Sequence, residues 1–248
     1  QNTQIMNSIC IATYNGEKYI HQQLTSILSQ INIDDEVIIS DDDSTDNTIE
    51  IIKSLNDTRI KIIHGGFHHF KWNFANALQH SKGEYIFLSD QDDIWVEGKY
   101  QACLNKLQKA DLICHNSSVV DENLNTIIPS FFDYYHSGTG IIKNSIKNTY
   151  FGACMAFNRR VLDAALPLPK TMEIGHDIWL GLVAESIGKT EFINTPYLLY
   201  RRHDTALTNI SNDLKSRSKR SLFTKIWSRF VVLYHICLFN IKYLCKKH

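Results

Sequence analysis

Along the first half of the chain, short apolar runs alternate with segments of helical periodicity. Residues 8–13 (SICIAT) form a run of strand length, and Ile20, Leu24, Ile27 and Leu28 then recur at helical spacing. Residues 36–40 (EVIIS) predict a second strand. Ile49, Ile52 and Leu55 mark one face of the helix after it, with Asp46 as its cap. Further strands are predicted over 59–64, 85–89 and 112–115, and helices over 73–80 and 95–109. Strand and helix in alternation argue an α/β fold: a doubly wound, mostly parallel sheet with helices on both faces.

The rhythm weakens between residues 122 and 150, where Gly, Asn, Ser and aromatics mix, and a long loop over the site is expected there. It resumes with a strand at 152–157, helices at 159–165 and 177–187, and a strand at 192–200 broken by Pro196. Residues 1–210 read as one catalytic body and 211–248 as a basic, amphipathic helical tail. The most apolar part of the tail, 230–241, is too short and too polar to span a bilayer. With Trp227, Phe230, Tyr234 and Phe239, the tail reads instead as a helix lying on an anionic membrane surface. The alternative is a helix packed on its own body or on a second subunit, giving a homodimer.

Composition supports a packed core, with 44% hydrophobic and 11% aromatic residues among 248. Net charge is zero but unevenly placed. Nine basic and no acidic residues follow Leu214, leaving 17 Lys and Arg against 26 Asp and Glu in the rest, a net of −9. No nucleic-acid partner is expected. Six cysteines without paired spacing suit a reducing, cytosolic compartment, and the N-terminal residues show no apolar targeting segment.

The candidate chemistry centres on residues 85–95, YIFLSDQDDIW, where an apolar strand runs into Asp90, Gln91, Asp92 and Asp93. Three carboxylates in four residues repel one another unless a cation neutralises them, and the carboxyl ends of strands are where open α/β sheets bind ligands. A solvated acidic turn would read the same in isolation. Asp41, Asp42 and Asp43 follow the second strand, Asp177 opens a late helix, and Arg201, Arg202 and His203 close the body. Metal-binding acids, a separate carboxylate and an arginine pair are the parts needed to move a group off a diphosphate.

In this order the motifs resemble those of family 2 glycosyltransferases with the type A nucleotide-sugar-binding fold. The likeness runs from about residue 8 to 208 through IATYNGEKYI, VIISDDDSTDNT, GEYIFLSDQDD, GHDIW and YLLYRRH. The family more often has Gly where Asp43 stands and Glu where His176 stands. The wording SDQDDIW is most like that of bacterial enzymes building O-antigen or capsule. The resemblance implies an inverting transfer of a hexose from a nucleoside-diphosphate sugar, UDP-Gal or UDP-Glc before dTDP-rhamnose. The acceptor would be a lipid-diphosphate-linked saccharide at the inner face of the cytoplasmic membrane. It implies Asp177 as general base, and Asp92, Asp90 and His203 as ligands of Mn2+ or Mg2+. Thr13, Tyr14, Asn15, Glu17, Asp41, Asp90 and Gln91 would line the nucleotide and donor pocket, Asp93 would face the sugar hydroxyls, and Arg201 or Arg202 would hold the diphosphate.

Blander roles stand beside these. Asp42, Asp43 and Asp46 read as turn and cap residues, and Asp177 as a helix cap. His64, His68 and His69 read as a loop with no partnering carboxylate. Trp95 and Trp179 read as core or as sugar-stacking platforms. A haloacid-dehalogenase-type phosphotransferase places its nucleophilic Asp after the first strand, unlike this chain. A nucleotidyltransferase would need a Gly-rich, Arg-containing loop after Thr13, and a carbohydrate-binding module has no need of Asp177 with Arg201.

Overall fold

The computed structural model describes residues 5–203 and 221–245. Four strands, β1 (Ser8–Thr13), β2 (Glu36–Asp41), β3 (Ile60–His64) and β4 (Tyr85–Ser89), lie parallel in the order β3-β2-β1-β4. Helices α1 (Ile20–Leu28), α2 (Thr48–Ser54) and α3 (Phe70–His80) connect them. Ile9, Ile11, Leu24, Ile39, Phe87 and Leu88 are wholly buried between sheet and helices, each contributing roughly 1.5–3 kcal/mol by leaving water. Register pairs Thr13 with Asp41 and Asp41 with His64, so three strand ends align on one edge.

Beyond β4 the sheet continues through β8 (Met155–Asn158), β6 (Leu112–Val120), β9 (Thr190–Arg201) and β5 (Ile94–Trp95), with β7 (Thr126–Ile128) added to β6. β8 is antiparallel to both β4 and β6, which points β6 and β9 the same way as the first four strands. The sheet is therefore mostly parallel, and the carboxyl ends of β6 and β9 reach the same edge as those of β1, β2 and β4.

Several elements depart from their expected bounds for local reasons. β6 runs on to Val120 because the buried polar residues Asn116 and Ser117 are hydrogen-bonded internally and His115 meets the Asn116 carbonyl through Nδ1. Asn116 accepts from the Phe132 N–H and donates to the Asn194 carbonyl. Pro196 does not break β9. It sits at a register shift opposite Asn116, where a missing N–H costs no ladder bond. α3 starts at Phe70 because the His69 ring accepts from the Lys71 N–H as its cap. Residues 94–95 are a strand against β9, and α4 (Lys99–Leu107) begins only after them. The expected long loop contains β7, α5 (Phe131–Tyr135) and α6 (Ile141–Ile146).

The body closes with α7 (Arg159–Ala165) and α8 (His176–Ile187). Trp95 and Trp179 are core residues, 3% and 6% exposed, and the Trp179 ring N–H donates to the Ala165 carbonyl. Among the described residues the tail contains one helix, α9 (Leu222–Cys245), whose 24 residues make it long and apolar enough to cross a membrane by length and composition. The shorter span expected from residues 230–241 is corrected by the apolar residues Leu222, Phe223, Ile226 and Trp227, which extend the helix toward its N-terminus. The basic residues 215–220 and 246–247 lie outside the described residues.

Candidate active site

Two turns open at the ends of β1 and β2, and each holds the other. The Asn15 side chain accepts from the Thr45 N–H at 2.8 Å, and Glu17 accepts from the Asn47 N–H and amide. In return Ser44 accepts from the Asn15 N–H, Thr48 from that of Gly16 and Asp46 from that of Glu17. Asp46 also accepts from the Thr48 N–H at 3.0 Å, which serves the start of α2 as a cap does.

The first acidic cluster is saturated by donors. Asp41 accepts from Thr13 Oγ1 at 2.8 Å, Ser44 Oγ at 2.6 Å and the Ser44 N–H at 2.9 Å. Asp42 accepts from the Phe67 N–H at 2.5 Å and the His69 N–H at 2.9 Å, fixing the loop after β3. Asp43 has φ 65°, the left-handed conformation that favours Gly. Its carboxylate lies 3.4 Å from His64 Nδ1 and 4.0 Å from His68 Nε2. These histidines therefore do have a carboxylate partner, one that the sequence separation concealed.

The second cluster has few donors. The Asp90 carboxylate is half-buried and has no hydrogen-bond partner among the described residues. Burial, then the charges of Asp92 and Asp177, raise its carboxyl group to about 7. Asp92 Oδ2 meets His203 Nε2 at 2.8 Å, and the His203 ring lies 4.8 Å from that of Tyr19. Asp93 is wholly buried; Oδ1 accepts from the Arg201 N–H and Oδ2 has no partner. It does not face the open crevice, so its expected contact with sugar hydroxyls is corrected: β5 turns it inward onto β9.

Arg201 is corrected likewise. It is 4% exposed, and its guanidinium donates to the Asp92 carbonyl, the Glu122 carbonyl and Gln22 Oε1 while lying 4.7 Å over Tyr19. It ties the end of β9 to the acid strand, with three of its guanidinium N–H groups taken by protein oxygens. Arg202 is half-buried, and its N–H donates to the Val120 carbonyl at 2.8 Å, anchoring the backbone beyond β9 to the end of β6. Gln91 forms a two-point clasp: its amide accepts from the Tyr14 N–H at 2.9 Å and donates to the Tyr14 carbonyl at 3.0 Å. A side chain at Gly16 would meet that amide at 2.5 Å.

Asp177 stands in the first turn of α8, where the helix dipole suits a negative charge. Asn148 donates to its Oδ2 at 3.1 Å, and its Oδ1 accepts from the Ile178 N–H. Its negative charge is among those that raise the Asp90 carboxyl group. His176 beside it is buried against Phe74 at 4.3 Å, and burial depresses its basicity, so it is a neutral ring.

Two residues of the site were not singled out by the sequence. Lys99 is wholly buried, donates to the Ala153 carbonyl, lies 4.2 Å over Trp95 and is lowered by burial to about 8. Its positive charge lowers the carboxyl groups of Asp90 and Asp93, opposing the larger effect of burial. A lysine in the first turn of a helix opposes the helix dipole, and that was the available signal. Asn148 carried none, lying in an irregular stretch.

The donor set suits a hard divalent cation: Asp92 and His203 already converge, and Asp90 lacks any partner among the described residues. Among the described residues no three His, Cys, Asp or Glu side chains close on one point.

Comparison with known proteins gives the family and the fold. The profile of Glycosyl transferase family 2 matches residues 8–166, and the chain belongs to that family. It is a glycosyltransferase. It is 28% identical over 242 residues to the dTDP-rhamnosyl transferase RfbG of Shigella flexneri, covering 88% of this chain and 81% of that one. It is 26% identical over 181 residues to the UDP-Glc:alpha-D-GlcNAc-diphosphoundecaprenol beta-1,3-glucosyltransferase WfgD of Escherichia coli, covering 72% and 70%. Its fold matches S. aureus TarS 1-349 in complex with UDP-GlcNAc, with a TM-score of 0.64 at 18% identity over 82% of this chain. The mannosyltransferase PcManGT of Pyrobaculum calidifontis, in complex with GDP-Man and Mn2+, gives 0.58 at 18% identity over 81%. This chain spans 60% and 57% of the length of those two solved chains.

Proposed function

We propose that the protein is an inverting, cation-dependent hexosyltransferase. It would use a nucleoside-diphosphate sugar, UDP-Glc or UDP-Gal, and a lipid-diphosphate-linked saccharide acceptor of bacterial surface-polysaccharide synthesis. The observation that supports this reading is the pairing of Asp92 with His203 at one strand edge, with Asp90 two residues away and the Asp177 charge acting on it. A second reading, dTDP-rhamnose as donor, is favoured by the Shigella relative, which aligns over 88% of this chain.

The nucleotide would lie over the interlocked turns after β1 and β2. Tyr14, 55% exposed, offers a ring face to the base, with Thr13, Asn15, Glu17 and Asp41 forming the floor. Asp92, His203 and Asp90 would hold Mn2+ or Mg2+, whose positive charge, when bound, neutralises the departing diphosphate. Arg202 is the member of the arginine pair left to assist it. Asp177 would take the proton from the acceptor hydroxyl as that oxygen attacks the anomeric carbon, and Asn148 would keep its carboxylate aimed. Attack from the side opposite the leaving diphosphate inverts the anomeric centre.

The test is thermal stabilisation by a panel of nucleotide sugars, with and without Mn2+, since a bound ligand raises apparent stability by mass action. Cation-dependent stabilisation by a UDP-hexose supports the first donor and by dTDP-rhamnose the second. No cation-dependent response to any nucleotide sugar would refute the reading.

A further inference from the structure

α9 is two-faced in an unusual sense. One side packs on the body: Val231, Val232 and Ile236 are buried, and Phe239 meets Trp179 of α8 edge-on at 5.8 Å. Ser228 hydrogen-bonds Glu173 just ahead of α8, and Arg229 Nε donates to the Ile146 carbonyl at the end of α6 at 2.9 Å. The opposite side is also apolar. Phe223, Ile226, Trp227, Phe230, Tyr234 and Ile241 recur at helical spacing and are each more than half exposed. Ile142 and Ile146 of α6 are 72% and 53% exposed on the element against which α9 packs. A continuous apolar stripe of this length is rare on a free surface.

Charge selects the occupant. Lys215, Arg217, Lys219 and Arg220 precede the stripe in sequence, Lys246 and Lys247 follow it, and no acidic residue lies beyond Leu214. Pairing of two α9 stripes about a two-fold axis would set basic flanks of one copy against basic flanks of the other. An anionic lipid surface accepts the stripe and both flanks together. A transmembrane orientation fits less well, because it would strip Val232, Ile236 and Trp179 of their packing and send basic residues to both sides of the bilayer.

We propose that α9 and α6 together form one lipid-docking face, with α9 lying flat in the headgroup region of an anionic bilayer while it stays packed on the body. The face is mechanically joined to the catalytic end. α9 packs on α8, which starts at His176-Asp177, and the chain leaving α6 reaches Asn148, the hydrogen-bond donor to Asp177, two residues later. Docking thereby presents the proposed base to an acceptor held at the lipid surface. The proposal rests on the lipid-linked acceptor only for its purpose, and its test uses neither donor nor acceptor, so either can fail alone.

The full chain is sedimented with vesicles of phosphatidylglycerol and, separately, of phosphatidylcholine. Binding to the anionic vesicles is expected, weakened at about 0.5 M salt. The pair Trp227→Glu with Phe230→Glu, and independently the pair Ile142→Glu with Ile146→Glu, should each reduce the partition coefficient by about tenfold or more. Wild-type Trp227 fluorescence, isolated by difference from Trp227→Phe, should be quenched more by lipids brominated near the headgroup than at the chain end. This last measurement needs no folded charge variant. Equal binding by the Ile142/Ile146 pair, strongest quenching at the bilayer centre, or indifference to lipid charge would each overturn the proposal. So would a dimer in light scattering that the α9 pair dissociates while no lipid is bound.

Discussion

Two acidic clusters of nearly the same wording end strands of this sheet, and their environments are opposite. Asp41 and Asp42 receive five hydrogen bonds from hydroxyls and backbone amides of the protein itself. Asp90, Asp92 and Asp93 receive two among the described residues, from His203 and the Arg201 amide. The first cluster is satisfied by folding. The second is left with few donors, and burial with mutual repulsion, opposed only in part by the Lys99 charge, drives Asp90 and Asp93 toward their protonated forms. Count and spacing of carboxylates thus say little about a cation site; the number of donors the protein withholds says more.

The largest expected effect lies outside both clusters and checks the division of labour. Asp177→Asn keeps the hydrogen-bonding shape and removes the proton acceptor. Transfer should fall by about a thousandfold while nucleotide-sugar affinity, measured by calorimetry, stays within about twofold. Normal turnover would move the base elsewhere.

Asp42→Ala attacks the satisfied cluster. It strands the Phe67 and His69 amides, and denaturant unfolding should show a loss of roughly 2–4 kcal/mol. The affinity of the remaining folded protein for cation should not change.

Gln91→Ala opens the clasp that ties the turn at Tyr14 to the acid strand. Loss of two hydrogen bonds should raise the donor KM by roughly tenfold, with a smaller change in kcat. A change in kcat alone would contradict a role in holding the nucleotide turn.

The smallest effect is a stabilisation. Asp90 titrates at about 7 when folded. A free aspartate titrates at about 4. Between those values the folded protein holds a proton that the unfolded chain has released, so metal-free stability falls as pH rises through that window. Asp90→Asn removes the penalty. Its melting temperature should exceed that of the wild type at about pH 8 and match it at about pH 4.

Much of the frame was legible in the sequence because short apolar runs and helical spacing report burial directly. β1, β2 and β4, α1, α7 and α8 fall within a residue of their expected bounds. The direction of β8 was not legible, since an apolar strand reads the same in either sense. Nor was the reach of β6, whose His115, Asn116 and Ser117 look like loop residues until their partners are known. At the site, sequence order brought Asp92 and His203 to one point, 111 residues apart. It could not reveal that Arg201 would be buried under carbonyl acceptors, or Asp93 turned inward. Both outcomes depend on β5 pairing with β9, a two-residue contact with no periodicity of its own.

We propose that Asp92, with Asp90 and His203, takes a divalent cation and that the cluster at Asp41 and Asp42 does not. Titration of Mn2+ in the presence of UDP, followed by calorimetry on wild type, Asp92→Asn and Asp42→Asn, tests it most directly. The prediction is one cation site in the wild type, weakened by about a hundredfold or more in Asp92→Asn and unchanged in Asp42→Asn. Equal affinity in wild type and Asp92→Asn, or loss of the site in Asp42→Asn, would contradict the account.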